Sequence, residues 1–157
     1  MTIRQPKQRP LRLREKGKRA VRTQFGALCW RVQGDKLEFL LITSRQRKRW
    51  IIPKGWPVDG ATPAEAAETE AWEEAGVKGK TAPVCLGIYS YTKYLDGREQ
   101  LPCVVAVFPV RAKRLAANYP ERSERRRKWF SRKKAAKLVD EPELANMIRG
   151  FDPKMVT

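Results

Sequence analysis

The sequence predicts one α/β domain, and three observations carry that prediction. Short runs rich in β-branched and aromatic residues recur along the chain. A single helix with its own start and stop signals lies between them, and a further helical stretch follows near the C-terminus. The chain has 157 residues, 41% of them hydrophobic, enough for one core of fair size.

Residues 21–33 read as a strand, Gly34-Asp35 as a turn, and Leu37 to Thr43 as the returning strand of a hairpin. Trp50 to Pro53 is a short strand. Thr62 suits an N-cap, Pro63 the first helical turn and Gly76 a left-handed stop, which defines a helix between them. Strand-like segments follow at 84–94 and 103–110, separated by a polar turn around Asp96-Gly97. Lys128-Trp129-Phe130 is a last short strand. Ser131 caps a helix over 132–139, and residues 141–149 form another helical piece after a break at Pro142. Residues 1–18, basic, proline-containing and poor in large apolar side chains, read as a flexible tail to a domain over 19–157.

The central helix carries the chemistry. At about 100° per residue, Ala64, Ala67, Ala71 and Ala75 share one narrow sector, which implies close packing. Glu70, Glu73 and Glu74 share an adjacent sector, whereas Glu65 and Glu68 point elsewhere. Carboxylates this close raise one another's pKa unless a cation sits among them, and hard oxygen ligands suit Mg²⁺, Mn²⁺ or Ca²⁺. A solvated acidic helix face is the other reading of the same residues. The chain has no histidine, so a zinc site containing His and an imidazole base are both excluded.

The acids stand in a basic chain of net charge +17. Residues 1–22 hold nine Lys and Arg against Glu15, and a second basic run covers Arg122 to Lys137. Such charge implies an anionic partner: nucleic acid, an anionic membrane surface or a highly phosphorylated small molecule. No apolar run approaches the ~20 residues of a membrane span, and the basic N-terminus lacks the apolar segment of a secretory signal. Cys29, Cys85 and Cys103, widely spaced in apolar strand-like contexts, are expected as buried free thiols, which fits a reducing cytoplasm.

Residues 55–77 resemble the Nudix box: Gly, five residues, Glu, seven residues, then Arg-Glu-U-x-Glu-Glu-x-Gly-U, with U aliphatic. Gly55, Glu70, Ala71, Glu73, Glu74, Gly76 and Val77 match. Ala61 replaces the first Glu and Thr69 the Arg, two positions that are mainly structural in the family. Losing both members of such a pair is less damaging than losing one. The resemblance implies an α/β/α sandwich with a mixed sheet. It also implies Mg²⁺, or Mn²⁺ in its place, on Glu70, Glu73 and Glu74, with the Gly55 carbonyl as an extra ligand. The implied activity is hydrolysis of phosphoanhydride bonds, with either Glu73 or Glu74 acting on the attacking water.

Outside the box, Ala27 to Arg31, Ser44-Arg45, Arg49 to Pro53 and Arg127 to Phe130 resemble diphosphoinositol polyphosphate phosphohydrolases, over most of residues 20–140. This implies diphosphoinositol polyphosphates or dinucleoside polyphosphates as substrates. Arg22, Ser44, Arg45, Arg49, Lys54 and Arg127 are the implied binding residues. Arginine suits the role because its fork meets phosphate oxygens in pairs. The turn Lys54-Gly55-Trp56-Pro57 departs from the subfamily's Gly-rich turn. Trp50 and Trp56 either stack on a base or pack internally. The alternatives are a Nudix enzyme acting on ADP-ribose or other nucleoside diphosphate derivatives, and a basic nucleic-acid-binding protein on the same scaffold, using its tail.

Overall fold

The structure is a computed structural model that describes Gln8, Pro10, residues 22–94 and residues 100–156. The tail expected over residues 1–18 lies outside the described residues apart from Gln8 and Pro10, as does the Asp96-Gly97 turn. Eight strands and three helices run in the order β1 (Thr23–Gln33), β2 (Lys36–Thr43), β3 (Trp50–Ile51), β4 (Lys54–Gly55), α1 (Pro63–Ala75), β5 (Val77–Thr81), β6 (Gly87–Tyr94), β7 (Gln100–Leu115), β8 (Arg127–Ser131), α2 (Arg132–Leu138) and α3 (Pro142–Gly150).

The strands form one mixed sheet whose main path is β3-β2-β1-β7-β5, with β4 paired to β1, β6 to β7 and β8 to β2. The long strand β1 organises it. It turns back through Gly34, at φ +65°, into antiparallel β2. On its other side it runs parallel to β7, from Thr23 opposite Val104 to Trp30 opposite Arg111.

Alternation along β1 and β2 gives the sheet two apolar faces. Phe25, Ala27, Cys29, Leu40 and Ile42 face α1 and pack on its alanines. Leu28, Trp30, Phe39 and Leu41 face the other way and pack with Leu144, Ile148 and Phe151 of the α3 region. The result is the expected α/β/α sandwich. Ala64, Ala67, Ala71 and Ala75 are all buried, and their short side chains bring the α1 backbone close to the sheet.

The ends of α1 are fixed as its sequence requires. The Thr62 hydroxyl accepts from the Glu65 N–H while the Glu65 carboxylate accepts from the Thr62 N–H, and Gly76 closes the helix at φ +65°.

Three expectations are corrected. Residues 84–86 are not strand, and β6 begins at Gly87, so Cys85 is an exposed thiol while Cys29 and Cys103 are buried. Strand β7 does not stop at Val110 but continues to Leu115, because β5 pairs with that extension from Val77 opposite Leu115 to Thr81 opposite Val110. Strand β5, sequence Val-Lys-Gly-Lys-Thr, has little apolar content of its own and exists through this pairing.

Because Ala71 is fully buried between helix and sheet, Ala71→Leu is expected to destabilise the fold by about 1–3 kcal/mol in urea unfolding.

Candidate active site

Helix α1 leans its acidic side toward the short strand β4, and there Glu70 and Glu74 line a cleft of about 540 Å³. The two carboxyl groups are close enough that each shifts the other's titration. Glu74 is only 4% exposed. Its Oε2 lies 3.4 Å from the Lys54 backbone N–H and its Oε1 lies 3.3 Å from Arg125 Nη2. Burial pushes the Glu74 carboxyl up to about 8, against the pull of the Arg125 guanidinium and with the help of Glu70. Burial also raises Glu70, helped by the charges of Glu73 and Glu121.

Gly55 makes room for this pair. A Cβ there would stand 2.2 Å from the Glu70 carboxyl carbon, so no residue with a side chain fits beneath Glu70 as it stands.

Glu73 does not join the other two at one point. Among the described residues no three acidic or thiol side chains converge closely enough to hold an ion. The wheel explains this. Glu73 and Glu74 differ by about 100°, with Glu70 between them. Glu73 thus lies to one side of the pair, and its backbone carbonyl accepts from the Glu121 N–H of the loop after β7 at 3.0 Å.

Two adjacent carboxyls, both shifted toward the protonated form, are the arrangement that a cation between them would relieve. With oxygen donors only, they fit a hard divalent ion such as Mg²⁺.

The opposite wall is cationic. Ser44, Arg45, Arg49 and Lys54, all expected at the site, line the cleft. The Ser44 hydroxyl accepts from the Arg49 N–H at 3.0 Å, so it shapes the 44–49 loop. Arg49 meets Asp140 at 2.7 Å, yet its buried Nε–H has no partner. Burial lowers the Lys54 pKa, against the attraction of Glu74, and its ammonium stands over the Tyr91 ring. Arg47 stacks on Tyr94, and Lys93 on Trp56, which is 41% exposed; Trp50 instead packs edge-on against Phe130.

Two expected binding residues lie elsewhere. The Arg127 guanidinium donates to the carbonyls of Ala75 and Ala116 at 2.8 Å and stacks on Tyr119, so it closes the C-terminal end of α1. Arg22 precedes β1, bonds Val104 through its carbonyl and does not line the cleft.

Arg125, Glu121, Tyr91 and Tyr94 line the cleft and went unmarked in the sequence. Arg125 sits inside a uniformly basic run, and nothing local distinguishes it. Three arginines of that run are engaged within the fold. Arg125 binds carboxylates, Arg127 carbonyls, and Arg132 donates to the carbonyls of Ile148 and Phe151 behind α3.

Fold and site together define a domain that offers a carboxyl pair, one of them buried, to a cation-walled cleft near the end of a helix. The NUDIX domain family matches residues 22–151, and the chain belongs to that family. It is 35% identical over 109 residues to "Nudix hydrolase 13, mitochondrial" of Arabidopsis thaliana, covering 66% of this chain and 54% of that protein. It is 31% identical over 114 residues to "Diphosphoinositol polyphosphate phosphohydrolase 3-alpha" of Mus musculus, covering 71% and 65%. The chain thus spans about half the length of the plant protein and somewhat under two thirds of the mouse one. The fold matches the structure of a C. elegans Ap4A hydrolase with a TM-score of 0.57 at 22% identity, covering 82% of this chain and 94% of that one.

Two outcomes follow from the carboxyl pair. Gly55→Ala should displace Glu70 and weaken Mg²⁺ binding, measured by calorimetry, with the circular dichroism spectrum retained. Because the Glu74 pKa is raised on folding, the metal-free protein binds more protons folded than unfolded between the ordinary value of 4.5 and about 8, and its stability falls as pH rises through that window. A divalent cation that displaces the proton removes this penalty, so the Mg²⁺-induced rise in Tm should grow with pH up to about 8 and level off above it.

Proposed function

We propose that this chain is a divalent-metal-dependent hydrolase of phosphoanhydride bonds in polyphosphorylated small molecules, with diphosphoinositol polyphosphates and dinucleoside polyphosphates as the substrate class. One observation carries the reading. The Glu70–Glu74 pair and the cations Arg45, Arg49, Lys54 and Arg125 line a single cleft. The acids alone would repel a phosphate chain and the cations alone would only bind one; together they suit cleavage of a bond between phosphates.

When bound on Glu70 and Glu74, Mg²⁺ supplies charge neutralisation at phosphoryl oxygens. The residues do the rest. Arg45 is exposed and free to swing, its contact with Glu124 being long at 3.5 Å. Arg49 keeps an unused donor, and a buried donor without a partner suits an incoming phosphate oxygen. Lys54, half-buried in the cleft wall, would meet a bound phosphate where its charge is poorly screened. Glu73 or Glu74 would orient a water and accept its proton, the role the resemblance to the box implies for them.

The aromatic residues favour the nucleotide branch of the class. Trp56 and Tyr94 are exposed, and each is already covered by a cation. An incoming base could take the place of that cation on the ring. The name of the mouse relative favours the inositol branch, and that of the C. elegans structure the dinucleoside branch. For the nucleic-acid alternative, Arg125, Arg127 and Arg132 of the second basic run are engaged within the fold, whereas Arg122, Arg126, Lys128, Lys133, Lys134 and Lys137 are exposed. The unbridged thiols Cys29, Cys85 and Cys103 support residence in a reducing compartment such as the cytoplasm.

A phosphate-release panel with Mg²⁺ tests the reading. Inositol pyrophosphates or diadenosine polyphosphates should turn over, and Glu74→Gln should lower kcat by several orders of magnitude. Near-normal turnover in that variant, or turnover of ADP-ribose alone, defeats the assignment. If dinucleoside polyphosphates are the substrate, Trp56→Ala should raise their KM about tenfold by loss of base stacking and leave inositol pyrophosphate kinetics unchanged.

A further inference from the structure

The buried arginine at the back of the cleft differs from its other cations in touching one of the two acids directly. We propose that Arg125 is the positioning residue of the acid pair: backed by Glu121, its guanidinium fixes the Glu74 carboxylate in the orientation that receives a divalent cation. The inference rests on the reading of this cleft as the phosphoanhydride-cleaving site.

All three nitrogens of the guanidinium are held. Nη2 is 3.3 Å from Glu74 Oε1, Nε donates to Glu121 Oε1 at 3.0 Å, and Nη1 donates to the Thr43 carbonyl at 3.1 Å. With its side chain only 8% exposed and three anchors on three elements, the fork cannot rotate.

The loop that carries it is clipped on both sides. The Glu121 N–H bonds the Glu73 carbonyl of α1 at 3.0 Å. Arg126 bonds Thr43 at the end of β2 twice: its N–H donates to the Thr43 hydroxyl at 2.9 Å, and its carbonyl accepts from the Thr43 N–H at 3.0 Å. Arg125 is thereby set against α1 by backbone contacts that do not involve Glu74.

The helix offers no substitute. One turn before Glu74 stands Glu70, a like charge. Thr69 uses its hydroxyl on the Glu65 carbonyl at 3.0 Å, and Ala61 has nothing to give. Among the described residues Arg125 is the one cation in ion-pair contact with Glu74. A buried carboxylate that lost this partner would turn toward other donors, out of the ion's reach. Glu121 completes the device, since it holds Arg125 through Nε and leaves Nη2 for Glu74. The arrangement also explains how the box functions with Ala61 and Thr69 at its two uncharged positions: the stabilising guanidinium comes from 51 residues downstream of Glu74.

The test compares wild type, Arg125→Met, Arg125→Lys and Glu121→Gln by two readouts: Mn²⁺ dissociation constants from electron paramagnetic resonance of free Mn²⁺, and metal-free Tm from circular dichroism, with binding measured below the lowest Tm. Arg125→Met should weaken Mn²⁺ binding about 10- to 100-fold, as loss of a ligand-orienting partner does, and Arg125→Lys should recover part of the loss. An unchanged Mn²⁺ constant in folded Arg125→Met, whatever its Tm, overturns the inference. So does a raised substrate KM with an unchanged Mn²⁺ constant, which would make Arg125 a phosphate ligand only. If Arg125→Met does not fold, Glu121→Gln decides: weakened Mn²⁺ binding upholds the role and an unchanged constant ends it. If the wild type binds Mn²⁺ but hydrolyses nothing in the panel, the proposed function fails, while the Mn²⁺ comparison still upholds or overturns the role of Arg125.

Discussion

A buried carboxyl held beside a half-buried one is the constraint around which this domain is arranged. Carboxylates so placed repel each other and resist ionisation, and only a tightly determined surround keeps them together. The alanine stripe brings α1 close enough to the sheet for Glu74 to reach the Lys54 backbone. The missing side chain at Gly55 opens the space for Glu70. The loop after β7 then places a guanidinium against the pair from behind. Each of these is a steric or electrostatic condition on the same few cubic ångströms.

What the sequence revealed follows the range of the forces involved. The limits of α1 were legible because its signals are local: Thr62, Pro63 and Gly76 act through neighbouring backbone groups. The hairpin of β1 and β2 was legible for the same reason. Strand β5 and the second half of β7 were not, because each is an ordinary polar segment until the other pairs with it. The site divides along the same line. Glu70, Glu74, Arg45, Arg49 and Lys54 lie within a stretch whose spacing carries meaning, whereas Arg125 and Glu121 act across a separation that no spacing records.

Arg127 was misread for a different reason. A guanidinium is equally suited to phosphate oxygens and to the free carbonyls at a helix end, and its residue type does not say which it meets. In this chain the second use is common. Arg127 closes α1, and Arg132 gathers the carbonyls of Ile148 and Phe151. Part of the large positive charge is therefore internal fastening, and net charge alone overstates the surface available to an anionic partner.

The polar margin strand β5 has a consequence of another kind. Among the described residues it pairs with β7 alone, so its outer side is an edge of the sheet, and Lys78 and Lys80 stand exposed along it. Two molecules meeting along that rim would bring ammonium groups together before any ladder could form. The protection is electrostatic and weakens where ions shield it, so self-association of this domain should be governed by the saltiness of its surroundings as much as by its concentration.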